Sequence, residues 1–223
     1  MSNLPSVPAR TTRNAVQTNT NNNKNQKNTN QSPKNNFVDT TFYSIHTNKV
    51  FLKAKHDFYH YKRQHLSFVE HDPQNFKCLQ NIEIYLNTKF LLSLIADVES
   101  GHLARLIKSE LDKGNKYPQA VWQSNLGGVH EEKAKRADGK AIFRYFTISP
   151  GSRFPFVITA YEGPGKTNPK TRIIEPDGKP EKVIRVPADR EDFLAFIKAM
   201  KMNYLAFLSA ESVKRMMFDV SNN

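Results

Sequence analysis

The sequence predicts an α+β fold in which two repeats of antiparallel strands are each followed by a long helix. Three observations support this prediction. Apolar Ile82, Ile84 and Leu86 alternate with polar or aromatic residues, which is typical of a half-buried strand. After Asn87 the apolar residues change to helical spacing, which indicates a capped amphipathic helix. The same order of strand, cap and helix returns later in the chain, where Asp189 occupies the cap position.

Each half of the chain is predicted to contain several short strands before its helix. In the first half these are residues 40–46, 49–54, 58–61, 65–70 and 78–86, and the helix continues past Gly101 to about Gly114. In the second half they are residues 119–124, 141–149, 154–161, 171–174 and 182–186. Pro187 is expected to end the last strand before one helix face forms from Phe193, Phe196, Ile197, Met200, Tyr204, Phe207 and Leu208.

The two strand–helix junctions correspond at a fixed offset of 102 residues, so that Ile82 matches Ile184 and Asn87 matches Asp189. This correspondence predicts an internal structural repeat. We therefore expect a disordered, Asn-rich basic tail over residues 1–36 and a nucleic-acid-binding domain over 37–223. The domain divides into repeats at about 37–114 and 115–210, followed by a C-terminal segment.

The charge of the chain favours a polyanionic partner. The 223 residues carry a net charge of +12. Residues 1–36 hold eleven Asn and five basic residues without an acid, so the remaining residues carry +7. The tail cannot bury enough apolar surface to order itself, and it is either a solvated tail or a basic arm for phosphate. A net positive charge of this size is typical of nucleic-acid-binding proteins.

The same composition argues against other classes of protein. No unbroken apolar run approaches the length of a membrane span, and no signal segment is recognised. We therefore expect an intracellular, cytoplasmic protein that is not associated with a membrane. Nucleoid-associated and phage-encoded proteins fit this description, and an organellar transit segment fits less well. Cys78 is the only cysteine, which excludes an internal disulfide and favours a buried thiol.

Two stretches of the sequence resemble catalytic sites, but neither is favoured. Residues 160–167 fit a relaxed phosphate-binding loop, but Pro169, Pro176 and Pro180 follow, so no helix can present its N-terminus to phosphate. His56 and His60 are expected to lie on an extended segment, where they are too far apart to share a metal. We expect no enzymatic activity, no metal and no cofactor, with a metal-dependent nuclease as the least favoured alternative.

Cations and aromatic residues interleave in both halves, as single-strand binding requires. Lysine and arginine neutralise phosphates, and tyrosine and phenylalanine stack on bases. The candidate nucleic-acid-binding residues are Lys53, Lys55, Tyr59, Tyr61, Lys62, Arg63, Arg144, Tyr145, Arg153, Phe154, Lys166, Lys170 and Arg172. For any single member of this set, packing in the core or simple solvation is an equally open interpretation.

The element order resembles the Whirly, Pur-alpha and positive-coactivator superfamily of single-stranded nucleic-acid-binding proteins. Residues 182–187 and the helix 193–208 resemble the last strand and helix of a Pur-type repeat. Residues 139–145 are similar to the Gly-Lys and aromatic strand of the coactivator family. The resemblance implies that sheet surfaces and strand edges bind extended single strands. It also implies that the helices serve packing or oligomerisation.

The function expected from the sequence is non-catalytic binding of single-stranded DNA in replication, recombination or transcription. The expected partners are single-stranded DNA or RNA and further copies of the chain, because the second helix carries apolar residues on much of its circumference. An RNA-binding protein of the same architecture is one alternative. An oligomeric assembly module of the phage type is another.

Overall fold

The structure is a computed structural model that describes residues 40–221, with side chains through Phe218. The prediction of an α+β fold with antiparallel sheets is confirmed for this part of the chain. The predicted tail, residues 1–36, lies outside the described residues.

The first sheet is an antiparallel meander whose strands lie in chain order. It contains β1 (Thr41–His46), β2 (Val50–Lys55), β3 (Arg63–His71) and β4 (Cys78–Asn87). A single helical turn, α1 (Phe58–Tyr61), connects β2 to β3. Two helices, α2 (Thr88–Glu99) and α3 (His102–Asp112), follow the sheet. Strand β4 is an edge strand of this sheet.

The second sheet has six strands, and its four principal strands also lie in chain order. These are β5 (Trp122–Gln123), β7 (Ala141–Ser149), β8 (Phe156–Thr167) and β10 (Lys182–Ala188). Two short strands are added, because β6 (Gly127–Val129) pairs with β7 and β9 (Ile174–Pro176) pairs with β8. The short helix α4 (Glu131–Ala134) follows β6, and the long helix α5 (Arg190–Ser221) follows β10.

Both predicted helix caps are confirmed. The side chain of Asn87 accepts a hydrogen bond from the backbone N–H of Phe90 at 3.0 Å, at the start of α2. Asp189 accepts one from the backbone N–H of Asp192 at 2.7 Å, at the start of α5. Each cap satisfies one of the backbone donors that a helix N-terminus leaves unpaired. Each sheet is therefore followed directly by a capped helix.

One hydrophobic core joins the two sheets to the helices. The inner face of the first sheet contributes Leu66 and Phe68, and the inner face of the second contributes Phe146 and Ile158. The rings of Phe68 and Phe146 lie 5.9 Å apart across the core. Helix α5 enters this core with Phe193, Phe196, Met200 and Phe207. The outer face of the second sheet carries a smaller buried cluster of Ala141, Phe143 and Ile174. The outer face of the first sheet and the junctions between the sheets are left to the surface.

Several local predictions about the first half are wrong, each for an identifiable reason. Residues 58–61 form the helical turn α1 instead of a strand, and Lys62 ends it in the left-handed conformation (φ 52°). The first long helix is interrupted, because Gly101 adopts φ 68° between α2 and α3. Cys78, expected to be buried, is exposed at the start of the edge strand β4.

Predictions about the second half differ mainly in element length. The predicted strand at 119–124 is reduced to the two residues of β5, and most of 171–174 forms a turn before β9. Pro187 does not end the last strand, which continues to Ala188. A proline is tolerated there because β10 is an edge strand and its outer side needs no N–H.

Helix α5 differs from the expectation that no segment approaches a membrane span. By length and composition, Arg190–Phe218 is long and apolar enough to cross a membrane, with a mean hydropathy of 1.2 over its most apolar window. Lys198 and Lys201 interrupt its apolar run, which is why no unbroken stretch stands out in the sequence. Phe193, Phe196 and Met200 of the same helix are buried in the protein core.

Candidate nucleic-acid interface

A groove runs along the junction between the edge strand β4 of the first sheet and the β5–β6 segment of the second. Its main body has a volume of about 670 Å³. A smaller pocket of about 120 Å³ continues it and shares Arg63, Asn125, Gly127 and Gly128 with the main body. We call the two together the β4–β6 groove. The side chains that line it also include Tyr85, Asn87, Phe90, Gln123, His130, Arg144 and Arg172.

Asn125 joins the two sides of this groove. Its Oδ1 accepts a hydrogen bond from the backbone N–H of Asn87 at 3.1 Å, and its Nδ2 donates to the carbonyl of Tyr85 at 3.5 Å. An amide side chain can make this pair of bonds because it carries both a donor and an acceptor. Asn125 therefore continues the hydrogen bonding of the β4 edge where a neighbouring strand is missing.

The floor of the groove requires glycine at residue 128. Gly128 has φ 136°, and a Cβ atom there would lie 1.8 Å from the carbonyl oxygen of Ile142 on β7. No residue with a side chain fits at that distance without moving β6 away from β7. The close approach of the two backbones therefore keeps the floor open between the walls.

Backbone turns place two arginines at the groove. The left-handed residue Lys62 reverses the chain after α1, so that Arg63 begins β3 opposite Asn87 of β4. Arg172 follows a turn in which its backbone N–H donates to the carbonyl of Asn168 at 2.8 Å. Both side chains are exposed and neither makes an ion pair within residues 40–218.

The electrostatics of the main body favour an anion. It is lined by Arg63, Arg172 and His130, and none of its lining side chains is a carboxylate. The smaller pocket contains Arg144, whose Nε donates to Glu162 at 2.6 Å, and Glu162 also pairs with Lys182. The guanidinium of Arg144 is therefore already engaged by a carboxylate that it shares with Lys182, whereas Arg63 and Arg172 are available to a phosphate.

An aromatic pair extends the groove onto the outer face of the first sheet. Tyr85 lines the smaller pocket, and the ring of Tyr61 lies 4.8 Å from it. Tyr61 is 52% exposed. Burial, followed by the neighbouring Tyr61, raises the pKa of Tyr85 to about 12, so its phenol stays neutral. A neutral, partly exposed ring beside a cationic groove is the arrangement on which a base can stack.

The structure brings together some of the sequence-predicted binding residues. Arg63, Arg144 and Arg172 line the β4–β6 groove although they come from both halves of the chain. Tyr61 adjoins it through Tyr85. Lys53 and Lys55 lie on the same outer sheet face, where Lys55 pairs with Glu83 at 3.7 Å.

Other predicted residues lie elsewhere. Tyr59 and Lys62 pack against α5, where Lys62 pairs with Glu211 at 3.1 Å and Tyr59 contacts Phe207. Tyr145 stacks on Tyr161 at 4.9 Å on the outer face of the second sheet, and burial raises its pKa. The remaining four candidate residues are exposed, namely Arg153, Phe154, Lys166 and Lys170. The interleaved pattern in the sequence therefore does not correspond to one continuous surface.

Sequence reasoning did not identify several lining residues, namely Tyr85, Asn125, His130 and the Gly127-Gly128 pair. The adjacent glycines were one available signal, because two glycines outside a regular element often mark a close backbone approach. Tyr85 was another, since its alternation with the apolar Ile84 and Leu86 places it on the outer face of the strand.

A second groove of about 790 Å³ lies at another junction between the sheets, and we call it the β1–β10 groove. It is formed by the β1–β2 turn, the end of β3, and β10 with the start of α5. Lys49 and Arg185 line it together with the carboxylates Glu70, Asp189 and Asp192. Its charge is therefore mixed.

The expectation that His56 and His60 lie on one extended segment is wrong, because His60 lies on the helical turn α1. Residues 160–167 lie within β8 and do not form a phosphate-binding loop. Between residues 40 and 218, no three histidine, cysteine or acidic side chains converge to hold a metal.

No protein-family model, curated protein or solved structure matches the chain.

Proposed function

We propose that the protein is a non-catalytic single-stranded DNA-binding protein and that the β4–β6 groove holds the strand. The observation that carries this proposal is the groove itself, whose main body is lined by Arg63 and Arg172 and by no carboxylate, beside Tyr85 and Tyr61. The arginines neutralise phosphates and the tyrosines stack on bases. The net charge of +12 adds a long-range attraction that does not depend on base sequence.

The shape of the site favours an extended single strand over a duplex. The groove lies at a strand edge between two sheets, and its lining comes from strands and loops apart from Phe90 at the start of α2, so the site itself presents no helix to a major groove. A stacking ring such as Tyr61 needs an unpaired base with an accessible face. Duplex DNA hides those faces, so it should compete poorly.

We further propose that the protein acts as a homo-oligomer through the exposed face of α5. Leu194, Leu205, Leu208 and Met216 of this helix are apolar and exposed. Leu205 and Met216 are 49% and 61% exposed, so a second copy would cover apolar surface. Sedimentation showing only monomer at micromolar concentration would exclude this assembly.

The binding proposal is tested by fluorescence anisotropy with a labelled single-stranded DNA of about 30 nucleotides. We expect tight binding that weakens steeply with salt, because each phosphate contact adds about 0.7 to the slope of log affinity against log salt. Duplex DNA is expected to compete weakly. Binding that is unchanged by a large increase in salt, or absent at low salt, would contradict the proposal.

Competition with a single-stranded RNA of matched sequence separates the alternatives. Competition by RNA that is equal to or weaker than competition by DNA keeps the DNA assignment. RNA differs from DNA in its 2′-hydroxyl, and only a contact to that group would make RNA bind better. Much stronger competition by RNA would make the protein an RNA-binding protein that uses the same groove.

A further inference from the structure

His65 lies at the centre of a buried charged cluster beside the groove. It is 6% exposed on β3, and its two ring nitrogens face different carboxylates. Nδ1 donates to Asp57, which precedes α1, and Nε2 donates to Glu83 of β4 at 2.5 Å. A neutral imidazole has one N–H, so making both bonds to ionised carboxylates requires the imidazolium form.

The neighbours of the cluster complete its charge balance. Lys55 of β2 lies 3.7 Å from Glu83, and the hydroxyl of Ser67 donates to Glu83 at 2.8 Å. Asp57 and Glu83 supply two negative charges, and Lys55 and the imidazolium supply two positive ones. Burial raises the pKa of Glu83, but the hydrogen bonds from His65 and Ser67 and the charge of Lys55 outweigh it and leave the pKa lowered. Glu83 therefore remains ionised.

The cluster touches the groove at two points. Glu83 lines the smaller pocket together with Arg63, Arg144 and Tyr85. The ring of His65 stacks on Tyr85 with centroids 4.5 Å apart and planes 20° apart, and Tyr61 lies edge-on to His65 at 6.4 Å. His65 thus contacts both Glu83, which is the only carboxylate that lines the smaller pocket, and one face of the ring of Tyr85.

We infer that His65 is a positioning residue for nucleic-acid binding, which as an imidazolium neutralises Glu83 and supports the ring of Tyr85. This inference rests on the proposed function, because it assigns the charge balance of the same groove. Without the imidazolium, the cluster would carry a net charge of −1 beside the phosphate path, and that charge would repel phosphate.

The variants His65→Gln, Glu83→Gln and His65→Gln/Glu83→Gln test this inference by anisotropy with the same single-stranded DNA. His65→Gln leaves Glu83 uncompensated, and we expect an affinity loss of about fivefold. The double variant removes that charge and should recover most of the affinity. A purely structural role for His65 predicts no recovery, so a double variant that binds as weakly as His65→Gln would overturn the inference.

Nitrogen NMR of the histidine ring identifies the protonated form directly, and we expect both nitrogens of His65 to carry protons because each lies against a carboxylate. This readout does not depend on whether His65→Gln folds, and a neutral ring would overturn the inference. If the wild-type protein fails to bind single-stranded DNA at low salt, the proposed function fails. If it binds but its variants and its ring nitrogens do not behave as described, only the role of His65 fails.

Discussion

The β4–β6 groove and the β1–β10 groove both lie where one sheet meets the other, yet they differ in charge. The β1–β10 groove has a volume of about 790 Å³, and the β4–β6 groove has a main body of about 670 Å³ with a pocket of about 120 Å³. The lining of the β1–β10 groove combines Lys49 and Arg185 with three carboxylates, whereas the main body of the β4–β6 groove has none. Volume does not distinguish the two grooves as sites for a polyanion, and the distribution of charge does.

The origin of the difference lies in the helix that follows each sheet. Asp189 caps α5 and Asp192 lies in its first turn, so carboxylates that stabilise the helix N-terminus also line the β1–β10 groove. Helix α2 has the neutral cap Asn87 and no acidic residue in its first turn. The β4–β6 groove can therefore adjoin a helix N-terminus without acquiring a negative charge.

The largest expected effect is a loss of stability when a side chain is added at Gly128, on the floor of the β4–β6 groove. Gly128→Ala places a Cβ atom 1.8 Å from the carbonyl oxygen of Ile142, at φ 136°. We expect it to lower the free energy of unfolding by about 3 kcal/mol, through overpacking and backbone strain. Urea denaturation followed by circular dichroism measures the change.

Gly139→Ala is the matched control, because Gly139 has φ 67° but no atom within 4 Å of the added Cβ. It should cost about 1 kcal/mol from the left-handed conformation alone. Equal losses for the two variants would contradict the close approach of β6 and β7.

The next largest effect is a loss of DNA affinity when the arginines of the β4–β6 groove are removed. Arg63→Ala/Arg172→Ala should weaken binding of single-stranded DNA about 100-fold, since each charged hydrogen bond contributes about 1.5 kcal/mol and 1.4 kcal/mol is tenfold. The slope of log affinity against log salt should fall by about 1.4. Anisotropy titrations at several salt concentrations measure both quantities.

Two double variants with the same loss of charge serve as controls. Lys49→Ala/Arg185→Ala alters the β1–β10 groove, and Arg105→Ala/Lys108→Ala alters the exposed face of α3. Both should bind within about twofold of the wild type. A loss as large as that of the β4–β6 variant would show that total charge, not the groove, determines affinity.

A smaller effect is expected at the two helix caps. Asn87→Ala and Asp189→Ala each remove one side-chain acceptor from a helix N-terminus. Each should lower the free energy of unfolding by about 1 kcal/mol in urea denaturation. Only Asp189→Ala also removes a negative charge from a groove, and it should not weaken DNA binding. Reduced affinity for Asp189→Ala would bring the β1–β10 groove into the binding site.

The sequence predicted the elements whose signals are local. The periodicity around Ile82 and the caps Asn87 and Asp189 depend on a few neighbouring residues, and they agree with the structure. Arg63 and Arg172 were identified as candidates, but their meeting in one groove depends on the packing of two sheets. That packing is a tertiary property that no local pattern encodes.

Two particular errors show the same limit. Residues 58–61 are aromatic and β-forming, yet the left-handed Lys62 and the contact of Phe58 with Phe207 of α5 produce a helical turn. Lys62 has the charge expected of a phosphate ligand, but Glu211 of α5 already pairs with it. In both cases a helix about 150 residues away determines the outcome.

The smallest expected effect is the pH dependence of stability at α4, which directly follows the groove residue His130. Glu131 of α4 accepts hydrogen bonds from the side chain and backbone of Thr167, which lower its pKa to about 2. A lowered pKa stabilises the folded state above the ordinary pKa of glutamate, and that contribution is lost as the pH falls toward 2.

The melting temperature of Glu131→Gln should therefore lie below that of the wild type at neutral pH, and the difference should disappear in acid. Glu132→Gln, the adjacent exposed residue, is the control and should show no such change. A difference that persists unchanged to low pH would mean that the carboxylate charge of Glu131 does not contribute.

The central claim is that a single strand lies in the β4–β6 groove, and photo-crosslinking of single-stranded DNA followed by peptide mass spectrometry tests it most directly. Crosslinks should map to peptides that contain Tyr61, Tyr85 and Phe90, beside Arg63. Phe154 is 42% exposed in the β1–β10 groove and serves as the internal comparison. Crosslinks concentrated at Phe154, with none at Tyr61 or Tyr85, would contradict the account.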